Sequence, residues 1–263
     1  LGSEWTCVIW CLGLLAIPCR GETTNGLYCP DNGPYTVVAE DLFTLHDADR
    51  NTNIQIRLTF PAESGEYPVV LFGHKWAGSK DQYQPLVEYW VSHGYVCIQP
   101  NHSDSPQVGG PPPSFNTDDR WADMVFLMDS FDAIEQGVPA VSGKLDRVWI
   151  GAGGQYIGAQ IAGWLAGAQS FPHAGDPVSH DDPRVKAALM LSPEGQEGTM
   201  KRHSWVPIAE PMLVMTGSED PSPRTGNPPE WRTEPYQFAL PGNKYLAFIE
   251  GYDGLLDGMR EGE

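Results

Sequence analysis

From residue 35 onward, apolar positions follow two alternating rhythms. Residues 35–45 (YTVVAEDLFTL) and 53–60 (NIQIRLTF) are rich in β-branched and aromatic types, and the turn at 47–52 predicts that they form an antiparallel hairpin. Residues 67–72 (YPVVLF) are a short unbroken apolar run, as expected of a strand covered on both faces. Tyr83, Leu86, Val87, Trp90 and Val91 then keep helical spacing, with Ser79 as the expected cap and Gly94 as the stop. A strand over 95–99 follows, then a helix marked by Trp121, Met124, Val125, Leu127 and Met128 that ends before Gly137. A strand over 148–151 leads through a Gly-rich turn into a helix over 156–166, and strands at 185–191, 212–216 and 245–249 complete the pattern. Such alternation implies an eight-stranded, mostly parallel sheet with helices on both faces. Ligands of such sheets sit beyond the carboxyl ends of the strands, so those loops hold the candidate site.

A chain of 263 residues can bury a large core in one domain, and no repeat or biased tract divides it. Sixteen basic residues against thirty-four acidic ones leave a formal net charge of −18. A surface of that sign repels phosphate backbones and anionic lipid, which disfavours nucleic acid and membrane surfaces as partners. Residues 1–34 read as an export-type leader and linker, and 35–263 as the folded domain. The apolar run 5–18 (WTCVIWCLGLLAIP) is shorter than the ~20 residues of a stable membrane span, and its length suits a signal-peptide core; a buried N-terminal helix is the alternative. A secreted or cell-envelope location follows from the leader reading. The five cysteines have no metal spacing; Cys97 lies in an expected core strand, while Cys19 and Cys29 could pair in an oxidising compartment.

The chemistry concentrates at Gly151-Ala-Gly-Gly-Gln-Tyr-Ile-Gly-Ala159, where a strand turns sharply into a helix. Small residues on both sides allow a strained turn and close helix packing, the setting of a nucleophile elbow G-x-S-x-G. Tyr156 stands where Ser belongs, and neither Ser, Cys nor Thr occurs between Ser142 and Ser170.

The segments LFGHKWAGSKDQYQPLVEYWVSHGYVCIQPNHSDS, RVWIGAGGQYIGAQIAGWLAG, DPRVKAALMLSPEG, PMLVMTGSEDPSP and NKYLAFIEGYDG resemble the dienelactone-hydrolase-like esterases of the α/β-hydrolase superfamily, a group similar to polyester hydrolases and platelet-activating-factor acetylhydrolases. The resemblance runs from about Gly33 to Gly258 and implies an α/β-hydrolase fold with a Ser-His-Asp triad that needs no cofactor and no metal. It also implies a C-terminal helix after the last loop, for which this sequence offers no segment. Carried over by residue, the nucleophile position is Tyr156, the acid position Asp220 and the histidine position Gly254; no histidine follows His203. The oxyanion loop reads His74-Lys75-Trp76-Ala77-Gly78, so backbone donors fall at Trp76 and Ile157, with Lys75 and Trp76 bulky enough to fill the pocket or line another ligand site.

Elsewhere, His102, Ser103, Asp104 and Ser105 should face the same rim, as ligand contacts or as an ordinary polar loop. Asp220 is either the surviving triad acid or a turn former, and Ser192 reads as structural. Without nucleophile or imidazole, the expectation is an inactive or severely impaired ester-hydrolase homologue, a pseudoenzyme whose cleft retains a small ester or apolar ligand. The alternative is an active carboxylic-ester hydrolase with a rearranged site.

Overall fold

A computed structural model describes residues 31–108, 117–172 and 175–254. The leader over 5–18, Cys19, Cys29 and the chain end at 255–263 lie outside the described residues, and with them the expectations for export, disulfide pairing and the C-terminal helix.

The described chain builds β1 (Val37–Asp47), β2 (Thr52–Pro61), β3 (Tyr67–Gly73), α1 (Gln84–Ser92), β4 (Val96–Pro100), α2 (Thr117–Asp129) and α3 (Phe131–Gly137). These are followed by β5 (Leu145–Gln155), α4 (Ile157–Leu165), β6 (Gln169–Ser170), β7 (Val178–Ser179), β8 (Val185–Leu191), β9 (Met212–Gly217), α5 (Glu234–Phe238) and β10 (Lys244–Ile249). The main sheet has eight strands in the order β1-β2-β4-β3-β5-β8-β9-β10. β1–β2 and β2–β4 pair antiparallel, and every pairing from β4–β3 to β9–β10 is parallel.

Alternation along the central strands sorts the core. Val69, Leu71, Val96, Ile98, Ala188 and Met190 pack on one face with Met124, Leu127, Ile161 and Trp164 of α2 and α4. Phe72, Cys97, Leu189 and Leu191 pack on the other with Val87, Trp90 and Val91 of α1. Cys97 is buried as expected. No helix among the described residues is long and apolar enough to cross a membrane.

Three boundaries differ from the sequence reading. The strand expected over 148–151 runs from Leu145 to Gln155, so the Gly-rich stretch expected as a turn is paired strand. Helix α1 starts at Gln84 rather than behind Ser79, because Pro85 suits the first turn of a helix and Tyr83, at φ 68°, turns the chain into it. The helix expected to run to Gly137 breaks at Ser130 into α2 and α3. The short β6–β7 pair, the 3₁₀ turn Pro229–Thr233 and α5 carry no strong periodicity and were not anticipated.

Candidate functional site

Strand β5 is followed at once by α4, and the residue at the junction is Tyr156, with φ 50° and ψ −112°. A side chain in that region is strained and persists only where surrounding structure enforces it. Here the enforcement is close backbone packing. A Cβ on Gly158 would overlap Gly73 O, and one on Gly154 would overlap Gly158, so strand β3, the elbow and the helix approach to a distance only glycine permits. The elbow predicted from sequence is therefore present, and Tyr156, not Gly154, stands at its tip.

Asp220 follows β9 and Gly254 follows β10, and both reach the same place. A Cβ on Gly254 would lie 2.6 Å from Tyr156 Oη and closer still to Asp220 Oδ1. The three positions inferred for nucleophile, acid and histidine thus converge on one point, occupied by a phenol, a carboxyl and a bare backbone. Tyr156 Oη donates to Gly254 O at 3.2 Å. Burial pushes the Tyr156 phenol upward, and the Asp220 carboxylate pushes the same way. Asp220 is no exposed turn residue: it is 1% exposed, accepts Thr216 Oγ1 at 2.9 Å and pairs with Arg232 Nε at 2.9 Å. Burial nevertheless raises its carboxyl above the ordinary range, against the pull of its polar neighbours.

Arg232 gave no signal in the sequence, and it organises the site. Its guanidinium donates to Asp220 O, Ser192 O, Pro193 O and Pro221 O, tying together the loops after β8 and β9, and lies 4.7 Å from the centre of the Tyr156 ring. Ser192 is fully buried at φ 47°, its N–H donates to Met215 O at 2.7 Å, and its hydroxyl faces Asp220 and Tyr252, pulling both groups downward.

The loop after β3 is closed off by neighbours. Lys75 N–H donates to Tyr83 Oη at 3.2 Å, Tyr83 Oη donates to Gln155 Oε1 at 2.7 Å, and the Gln155 amide donates to Gly254 O. Tyr83 and Gln155 thus bridge the loop after β3 to the elbow, and Trp76 beside them is 43% exposed. Ile157, the other expected donor position, is buried at the first turn of α4.

His102 and Asp104 are also placed differently from the sequence reading. His102 is buried with Nδ1 2.8 Å from Asp123 Oδ2, and its Nε2 has no hydrogen-bond partner and points toward Gly73. Asp104 pairs with Arg120 at 2.7 Å. Neither lines the rim, because α2 supplies Asp123 as a hydrogen-bond partner to the imidazole and Arg120 as a counter-charge to the carboxylate. A hydroxyl does meet an imidazole elsewhere: Ser170 Oγ lies 3.2 Å from His180 Nε2, and that ring stacks on Trp164 at 4.1 Å. Asp182 N–H donates to Leu165 O, which sets this pair beside the far end of α4 from the elbow, about 13 Å of helix away. Among the described residues, no three His, Cys, Asp or Glu side chains gather as a metal site.

The chlorophyllase family model matches residues 30–109, a stretch that carries β1 to β4 and the loop after β3 and stops before the elbow. A search of curated protein sequences returns no match. Among solved structures, one described as a dienelactone hydrolase from Klebsiella pneumoniae superposes with a TM-score of 0.58 at 16% identity, covering 83% of this chain and 87% of that one. The chain has the α/β-hydrolase fold, dienelactone-hydrolase-like in architecture.

Proposed function

We propose that this chain is a hydrolase-fold protein that does not cleave esters at its elbow and instead holds a small ester or apolar ligand in the cleft. The observation that carries this reading is the convergence of Tyr156, Asp220 and Gly254 on one point with no imidazole among them. A phenol raised above its free pKa of about 10 cannot supply a phenolate at neutral pH, and a carboxylate, even one raised by burial, remains far too weak a base to take its proton. The chain of hydrogen bonds from Lys75 through Tyr83 and Gln155 to Gly254 supports the same reading, because it ties the loop after β3 to the elbow through neutral groups, none of which is a base at neutral pH. Tyr83, Tyr156 and Tyr252 are each partly exposed, which favours a ligand with apolar surface.

Turnover of a short-chain nitrophenyl ester and labelling by a fluorophosphonate test the proposal. The expected result is neither turnover nor labelling. Hydrolysis abolished by Tyr156→Phe would establish the elbow as an active site and overturn it. The second reading, a rearranged hydrolase, is favoured by one observation, the Ser170–His180 contact. Turnover lost in Ser170→Ala and kept in Tyr156→Phe would support that reading instead. The export reading of residues 5–18 goes with this function as an expectation, tested by fractionating cells that express the full chain.

A further inference from the structure

A second group of buried polar side chains lies under the elbow and takes no part in the proposed binding function. It joins the loop of residues 74–78 to the loop of residues 101–105 and to α2. His74 is its hinge point, 1% exposed. Its Nδ1 lies 2.6 Å from Lys75 O and 3.2 Å from Arg120 Nη2; the two Nη2 hydrogens go to Asp104 Oδ2 and Lys75 O, and a carbonyl can only accept, so Nδ1 carries the proton. Its Nε2 accepts the backbone N–H of His102 at 3.1 Å and is therefore bare. Arg120 of α2 donates to His74 O at 2.7 Å and to Lys75 O at 3.2 Å, and pairs with Asp104, which accepts Ala77 N–H at 2.8 Å. The charged and titratable groups facing His74 are thus His102 and Asp104 from the 101–105 loop and Arg120 from α2. Two of the three disfavour an imidazolium, Arg120 by its charge and His102 by proximity.

A proton added to His74 has one place to go, Nε2, where it would point at the His102 N–H. Donor would face donor, and the link between the two loops would be replaced by repulsion. We propose that His74 is an acid-operated latch: neutral, it fastens loop 74–78 to loop 101–105, and protonated, it releases that loop from the elbow. Release would carry away Trp76 at the rim and detach Lys75 N–H from Tyr83, so the cleft opens in acid. The latch rests on the loop contacts alone and stands whether or not the cleft binds a ligand.

Amide hydrogen exchange on the full chain between pH 4 and 6.5 tests it, with each rate divided by its intrinsic rate to give an opening constant. Opening coupled to one proton predicts a roughly tenfold rise per pH unit at the amides of Lys75, Ala77 and His102. The amides of β8 should lose protection less steeply, by no more than the fall in global stability over the same range. A flat profile at the loop, or one shared equally by β8, overturns the proposal. His74→Gln keeps an acceptor for His102 N–H and cannot be protonated, so its slope should fall by about one proton against the wild type; an unchanged slope refutes the assignment. Should that variant not fold, nitrogen chemical shifts of the wild-type imidazole decide, since a proton found on Nε2 at pH 7 also refutes it.

Discussion

Arg232→Met removes the cation that holds the site together while keeping much of the side chain's apolar bulk. Arg232 and Asp220 side chains are 2% and 1% exposed, so water cannot replace what is lost. The substitution leaves a buried carboxyl without its partner and removes the donors to the carbonyls of Asp220, Ser192, Pro193 and Pro221. Breaking one side of a buried ion pair costs about 3–5 kcal/mol, because the remaining charge stays desolvated. In a domain of this size each kcal/mol moves Tm by about 2–4 °C, so thermal unfolding should fall by roughly 10 °C at pH 7. The carboxyl escapes this penalty by taking a proton, and burial has already raised Asp220. The deficit of Arg232→Met against the wild type should therefore shrink as pH falls from 7 to 5. Combining Arg232→Met with Asp220→Asn should cost less than the sum of the two single changes. A loss below 1 kcal/mol, a deficit independent of pH, or strict additivity in that cycle would show that the pair does not support the site as argued.

Three further outcomes follow from the same contacts. The triple change Gln155→His, Tyr156→Ser and Gly254→His should restore at most weak nitrophenyl-ester turnover and destabilise by at least about 1–2 kcal/mol, because position 254 has φ 78° and a Cβ there displaces Asp220; full turnover without loss of Tm would contradict this. Gly158→Ala should destabilise by more than about 1 kcal/mol in urea unfolding, since its methyl meets Gly73 O, a backbone atom that cannot yield; a neutral effect would mean the elbow is looser than described. Stability should fall as pH drops below 6.5: burial depresses His74 to about 2 and takes His102 well below the ordinary value, so both bind protons in the unfolded chain first. Asp123, raised by burial to about 6, works in the opposite direction between pH 6 and 3.8, as do Asp220 and Glu194, both also raised by burial; the urea midpoint should still fall from pH 7 to 5, and a flat profile would refute the balance.

The parts of the fold legible in the sequence were those set by local pattern. Apolar runs at 67–72 and 185–191 named their strands, and GAGGQYIGA named the elbow, because strain and close packing both demand small residues in a fixed order. What the sequence concealed were partnerships between distant residues. Tyr83 and Gln155 are 72 positions apart, and nothing near either announces that one hydroxyl will link them. His-Ser-Asp-Ser at 102–105 reads as a polar loop until α2 brings Arg120 and Asp123 against it. Asp220 resembled a turn former for the same reason: its partner, Arg232, lies in a segment with no periodicity.

The elbow separates two demands that are usually met by one residue. Its backbone strain is maintained by contacts among Gly73, Gly154 and Gly158, which are indifferent to the side chain at the tip. Chemistry depends on that side chain and on an imidazole from a different loop. The first demand is a packing requirement of the whole sheet, because loosening it would separate α4 from β3 and β5. The second concerns only a few atoms at the rim. Tyr156 holds φ 50° with its ring resting on Arg232 and its hydroxyl on Gly254. A strained φ at this junction is evidence of the architecture, and evidence of hydrolysis has to come from the groups that surround it.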